Sequence, residues 1–193
     1  MGFLDALFGG GKKLKGPAPD RIFAMVTAQI TMETGLGLQH RNSAGIVFQP
    51  LGTADFGQIV KDTEELLRGA AEDTGTTVET HDDDFGYRWV ILRDPDFDDL
   101  VQAVNVVSTE LTAGGYGDRL LAAVFAFEDS NAGGKPVYFI YNFKRGKYYP
   151  FVPAPGTQAR NNEREFQLKA QLENELPIEP ELERWFPLWD IPL

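Results

Sequence analysis

Residues 120–152 read LLAAVFAFEDSNAGGKPVYFIYNFKRGKYYPFV, and the pattern of this stretch decides the fold. Leu120–Glu128, Pro136–Phe143 and Lys147–Val152 are short runs rich in apolar and aromatic residues, the composition of strands. They are separated by Asp129–Gly134 and by Lys144-Arg145-Gly146, whose glycines supply the backbone freedom that hairpin turns need. Strands joined by such short turns pair antiparallel. In the middle run Val137, Phe139, Tyr141 and Phe143 alternate onto one face, which reads as core. The alternative is that Tyr138, Tyr148 or Tyr149 joins Lys144 and Arg145 in a basic, aromatic contact surface able in principle to stack a nucleic acid.

Upstream, the period changes from strands to helices. Asp20 is a good N-cap, and Ile22, Phe23, Val26 and Ile30 fall on one side of a helix that should stop near Gly35 or Gly37. Ile46-Val47-Phe48 reads as a strand ended by Pro50. Phe56, Ile59, Val60, Leu66, Leu67 and Ala70 form the next amphipathic face, closed by Gly75. A hairpin follows, with Thr77–Thr80, a turn through Asp82–Gly86 and the strand Tyr87–Arg93. Asp94 then caps a helix with Pro95 at its first position and Phe97, Leu100, Val101, Val104, Val107 and Leu111 on one stripe. Downstream of the strands, a last helix spans about residues 162–176, before a proline-punctuated tail to Leu193. Trp185, Phe186, Leu188, Trp189 and Ile191 make that tail too apolar for water, so it is expected to dock on its own domain, with a partner surface as the alternative. The layout is α+β, a mainly antiparallel sheet with helices packed on one face.

Composition narrows the chemistry. The 193 residues carry 18 Lys+Arg against 29 Asp+Glu, a formal net charge of −11, which disfavours nucleic acid as a partner. There is no cysteine, so disulfides, thiolate metal sites, cysteine nucleophiles and iron–sulfur clusters are excluded together. No apolar run reaches the roughly 18 residues of a membrane span. Ser43, Ser108 and Ser130 lack a G-x-S-x-G context, and Gly9–Lys13 lacks P-loop spacing. His81-Asp82-Asp83-Asp84 reads as a solvated turn, with weak cation binding as the alternative, and His40 as a loop residue. Asp94, Asp96, Asp98 and Asp99 fit the cap and first turn of a helix, where the dipole favours anions. No catalytic, cofactor or metal site is expected from these residues.

The first 19 residues differ from the rest. Phe3, Leu4, Leu7 and Phe8 form a short apolar stripe, and Lys12, Lys13 and Lys15 follow on a Gly/Pro linker. A short apolar face beside a basic cluster is the two-signal arrangement for weak, reversible membrane attachment, and docking on a partner or on its own domain are the alternatives. Residues 1–19 are therefore expected to be an amphipathic segment and linker, and 20–193 a single α+β domain. Lys144 and Arg145 join the N-terminal residues as candidate contacts with a membrane or partner.

Longer stretches carry a resemblance. Met1–Lys15 followed by Gly16–Ala24, Gly86–Val90 with Asp94–Leu100, Val137–Gly146 and Arg184–Leu193 are similar to the PspA-associated protein PspAB family. The resemblance implies a bacterial or archaeal cytoplasmic protein working in the phage-shock response, and the N-terminal segment adds a peripheral place at the cytoplasmic face of the inner membrane as an alternative. There PspA, a coiled-coil membrane-remodelling protein, protects that membrane. It implies PspA or its complex as partner, with a membrane quality-control protease as another, and brings no catalytic residue. The layout also looks like the two-layer fold of secretion-chaperone-like and YbjN-like proteins, an analogy that bears on fold alone. The function expected is a non-enzymatic adaptor. The alternatives are a chaperone-like module that shields a hydrophobic segment on its sheet, or a cryptic enzyme or metal-binding protein.

Overall fold

The computed structural model describes residues 21–154 and 156–193, and for residues 71–74 the backbone alone. Its elements run α1 (Ala24–Gly35), β1 (Leu38–Phe48), α2 (Ala54–Thr74), β2 (Thr77–Asp82), β3 (Arg88–Arg93), α3 (Phe97–Ala113), β4 (Leu120–Asp129), β5 (Lys135–Asn142) and β6 (Lys147–Phe151). A two-stranded ribbon, β7 (Pro153–Ala154) with β8 (Ala159–Arg160), then leads into α4 (Asn162–Leu172). The six main strands form one sheet in the order β2-β3-β1-β4-β5-β6, every pairing antiparallel. This is the α+β fold that the strand–turn–strand pattern of residues 120–152 requires.

Partners directly opposite in an antiparallel ladder share a face, so the register sorts the core into two sides. Ile46, Val90, Ala123, Phe125, Phe139, Tyr141 and Tyr148 share one. That side meets the helices: Phe97 of α3 lies 5.9 Å from Phe125 and 5.6 Å from Phe127, ring centre to ring centre. Val47, Trp89, Ile91, Val124, Tyr138, Ile140, Tyr149 and Phe151 share the other side, and all are buried too. Their cover is the C-terminal tail. Trp185 stacks on Tyr149 at 6.3 Å, and Trp189 stands edge-on to Phe151 at 5.2 Å. The helices lie on one face as expected, but the opposite face is dry. Tyr138, Tyr148 and Tyr149 are 7%, 0% and 4% exposed, so the aromatic contact surface is overturned. A strand buried on both sides needs apolar residues at every position, which is how this sequence reads.

Several helix details differ from the sequence expectation. The Asp20 cap lies outside the described residues. Just before α1 Ile22 is buried and Phe23 exposed, and within α1 the inward residues are Met25, Ala28 and Met32, whereas Ile30 is exposed. Alanine and unbranched methionine fit closely against the sheet, and their weak hydrophobic signal hides the inward face. In α2, Phe56, Val60, Thr63 and Leu67 point in, and Leu66 is exposed. Asp94 does not cap α3. The cap is Asp96, whose carboxylate accepts from Asp98 N at 2.9 Å, while buried Asp94 accepts from Asp96 N and from the Thr76 hydroxyl. α4 ends at Leu172 rather than near 176. β1 is far longer than Ile46–Phe48 and carries a register shift between His40 and Ala44, with Asn42 at φ 53°.

The tail is fixed by polar bonds where it leaves α4. Pro177 O accepts from Tyr148 N at 2.9 Å and Glu179 N donates to Tyr148 O at 2.7 Å, closing the outer edge of β6. Arg160 donates from Nε to both oxygens of buried Glu165, at 2.9 and 2.8 Å, and from Nη1 to Trp185 O at 2.6 Å. Glu165 also accepts from Val152 N at 2.9 Å. Burial raises the Glu165 carboxyl, against the opposing pull of Arg160 and the Val152 N–H. At the other end of the sheet β2 is the free edge, blunted by Glu79, His81 and Asp82.

Removing one member of a buried ion pair strands the other. Glu165→Ala is expected to lower unfolding stability by about 3–5 kcal/mol, and Arg160→Ala by a similar amount. Denaturant melts of both single variants and the double variant check this. The double variant should cost clearly less than the sum, and strict additivity would remove the pair from the account.

The buried phenols give a second expectation. Tyr148 donates to Ile22 O at 2.7 Å and Tyr149 to Phe186 O at 3.0 Å, which only the protonated hydroxyl can do. Burial raises both above the ordinary value of 10. The folded value lies above the unfolded one, so this stabilisation is complete below pH 10 and lost as pH rises through the folded values. The melting temperature should fall above pH 10 in step with phenolate absorbance, and Tyr149→Phe should shrink the fall. Phenolate forming in two fully folded tyrosines would contradict it.

Candidate functional site

Of the basic residues singled out from the sequence, Lys144 and Arg145 lie together on the turn after β5. The turn between β5 and β6 is closed by Asn142, whose carbonyl accepts from Gly146 N at 2.8 Å and whose side chain accepts from Arg145 N at 3.2 Å. Gly146 sits at φ 61°, a left-handed conformation that favours glycine. Its missing side chain also makes room for Arg21, whose Cδ lies 3.4 Å from the position a Cβ would take. Arg21 Nη1 makes a long contact of 3.5 Å to Gly146 O, and Ile22 O accepts from the buried Tyr148 hydroxyl. The chain therefore enters the described structure directly on this turn. Phe3, Leu4, Leu7, Phe8, Lys12, Lys13 and Lys15 lie outside the described residues; the first described residue, Arg21, contacts the turn that carries Lys144 and Arg145.

The two turn cations have different surroundings. Lys144 is exposed at the tip. Arg145 is turned onto the tail: Nε and Nη2 donate to the two oxygens of Glu179, which is 2% exposed, and Nη2 lies 3.6 Å from Glu181. Glu179 Oε1 also accepts from Glu181 N at 3.1 Å. Arg145 thus clamps the tail to the turn while keeping about a quarter of its side chain exposed, 23%. Arg21, Lys144 and the half-buried Lys147 supply the rest of the positive charge at the corner. Nothing in the sequence marks Glu179 as the partner of Arg145, because the two are 34 residues apart.

The remaining candidates are separated. His40 stands edge-on to Phe97 at 5.4 Å, with Nε2 3.8 Å from Glu33. His81 is exposed on β2, opposite Trp89. Ser108 bonds back to Asn105 O within α3, Ser43 is buried on β1, and Ser130 is exposed in the turn after β4. Asp83 organises its hairpin by accepting from Phe85 N, Tyr87 N and Trp89 Nε1. Asp82 pairs with Arg88, which holds its carboxyl below the usual range. The mutual repulsion of Asp94, Asp96, Asp98 and Asp99 adds to desolvation in raising Asp99. Among the described residues no group of three or more such side chains is placed to hold a metal ion. A cavity lined by Phe48, Val60, Thr63, Glu64, Leu67, Val90, Val107 and Leu111 holds about 10 Å³, at most one water. The chemistry that this arrangement offers is contact: a cationic turn, a pinned chain entry and a clamped tail.

Among the described residues no helix is long and apolar enough to cross a membrane. Neither a curated protein nor a solved structure matches the chain. A family model does match, over residues 1–193, and it covers every segment on which the sequence resemblance rests. The chain belongs to the PspAB family, PspA associated protein B.

Proposed function

We propose that this chain is a non-enzymatic adaptor linked to PspA in a phage-shock-type membrane stress response, acting at the cytoplasmic face of the inner membrane. One observation carries the reading beyond family membership: residues 21 and 22 are bonded to the β5–β6 turn, at Gly146 and Tyr148. Lys12, Lys13 and Lys15 precede these two residues in the sequence, and in this reading they act together with Arg21, Lys144 and Arg145. The described cations Arg21, Lys144, Arg145 and Lys147 give this corner positive charge on a chain whose formal net charge is −11. Residues 20–193 act as one unit in this reading, and residues 1–19 as its tethered contact segment. An acidic body with one positive corner presents itself to a charged partner in a fixed orientation. PspA or its complex is the partner proposed, a membrane quality-control protease a further one, and weak contact with anionic lipid accompanies either.

Recovery of PspA with the tagged protein from envelope-stressed cells tests the partner. Neither PspA nor another membrane-associated protein in the recovered material would overturn the adaptor reading. Flotation with anionic vesicles tests the contact segment, using wild type, a deletion of residues 1–15, and Lys12→Glu/Lys13→Glu/Lys15→Glu. Each lysine near an anionic leaflet is worth about 1 kcal/mol, so the triple variant should lose vesicle binding by about a hundredfold or more. Wild type should float and both variants should stay in solution. Equal behaviour of all three removes the membrane contact.

A further inference from the structure

The tail is held in two different ways along its length. Up to Phe186 it is bonded at every few residues: Pro177 and Glu179 to β6, Glu179 to Arg145, Trp185 Nε1 to Glu179 O at 2.9 Å, Trp185 O to Arg160, and Phe186 O to Tyr149. Beyond Phe186 no hydrogen bond or ion pair engages residues 187–193 among the described residues. Leu188, Trp189, Ile191 and Leu193 pack on the core but remain only partly buried. Two of the seven residues, Pro187 and Pro192, have no N–H to donate. Asp190 sits at φ 57°, an unfavourable conformation for a residue with a side chain.

What lies beneath these residues is a continuous apolar floor. Trp189 meets Phe151 on β6, and Leu193 lies over Gly45 on β1, where an added Cβ would come within 3.2 Å of the leucine and of the Trp89 ring. Between β6 and β1 lie β5 and β4, so the last residues cross four strands. Three strand spacings are about 14 Å, the reach of four extended residues. Val124 and Ile140, on the strands between, are completely buried. A bare face of this size is more apolar surface than soluble proteins leave open.

We propose that this sheet face is a binding groove for an extended, apolar polypeptide segment containing aromatic residues and proline, and that residues 187–193 fill it in cis as an exchangeable strap. The seated tail itself shows which chemistry the groove accepts. Its hold, apolar contacts with no polar lock, is one that a segment of the same kind can replace. The permanent anchors at Glu179, Trp185 and Phe186 keep the strap close, so it closes the groove again when the segment leaves. Gly45 supplies the depth at the β1 end. The groove gives the chain a way to shield a hydrophobic segment. It is independent of the adaptor reading, because its lining lies on the sheet and shares with the cationic corner only the Arg145–Glu179 clamp upstream of the strap.

The probe is a labelled peptide of residues 186–193, FPLWDIPL, added to the full chain and to full-length Trp189→Ala/Leu193→Ala. Weakening the strap raises the fraction of open groove, so the double variant should bind the peptide about tenfold or more tightly than wild type. A peptide with its tryptophan and terminal leucine replaced by alanine should bind at least tenfold more weakly. Equal affinity of the two proteins, or of the two peptides, overturns the proposal. Methyl NMR of wild type covers the case of a variant that does not fold. Saturating peptide should move the Leu188, Ile191 and Leu193 resonances of the protein to those of a solvated chain, and unmoved resonances overturn the proposal equally.

Discussion

A single carboxylate joins the parts of this fold that the sheet cannot join by itself. Glu165, buried at the start of α4, accepts Val152 N at the end of β6 and both bonds from Arg160 Nε on β8. Arg160 in turn holds Trp185 O and lies 5.4 Å over the Phe151 ring. Strand, ribbon, helix and tail are thus fixed relative to one another through two side chains. A pair of this kind adds little net stability, because two charges have left water. What it does is make alternative placements expensive: any arrangement that separates the two leaves a charge buried alone. The direction in which the tail leaves α4 follows from that, and so does the covering of the second sheet face.

That covering explains the aromatic load of β5 and β6. A two-layer α+β protein needs apolar residues on alternate positions of its strands, with the other positions facing water. Here Phe139, Tyr141 and Tyr148 serve the helices, while Tyr138, Tyr149 and Phe151 serve the tail. Two buried tyrosines, Tyr148 and Tyr149, each put their hydroxyl on a carbonyl of the chain segment they hold in place. Tyrosine suits such positions better than phenylalanine, since its ring fills the core and its hydroxyl donates to a backbone carbonyl.

The strands and their antiparallel pairing are legible in the sequence because turn chemistry and apolar runs point the same way at residues 120–152. α3 is legible for the same reason, with acidic residues before it and a long stripe along it. The α1 face is not. Met25, Ala28 and Met32 give a weaker signal than Phe23, Val26 and Ile30, and contact with the sheet, which a single helix cannot reveal, decides between them. The shift of the α3 cap from Asp94 to Asp96 has a similar cause: Thr76 and Asn42, both remote in sequence, hold Asp94 in the loop. Docking of the tail is foreseeable from its tryptophans, but its bed is not. The partners Arg145–Glu179 and Arg160–Trp185 depend on a register that only the folded sheet sets. Lys144 and Arg145 are legible as a basic turn, whereas the contact of Arg21 with Gly146, 125 residues away, is not.

The same turn that receives the chain entry also anchors the tail. Tyr148 takes Ile22 through its hydroxyl and Pro177 and Glu179 through its backbone, and Arg145, three residues earlier, clamps Glu179. The chain entry and the start of the tail are therefore tied to one short stretch of β6 and the turn before it. Their attachment uses hydrogen bonds and an ion pair in a partly exposed setting, while the residues beyond them, on the tail side, rely on apolar contact alone. Polar bonds break over a narrow range of distance and angle, whereas apolar contact tolerates sliding. The junction at Tyr148 is thus the stiff point from which the strap extends, and the cationic corner and the sheet groove are two surfaces built outward from it on opposite ends of the same chain.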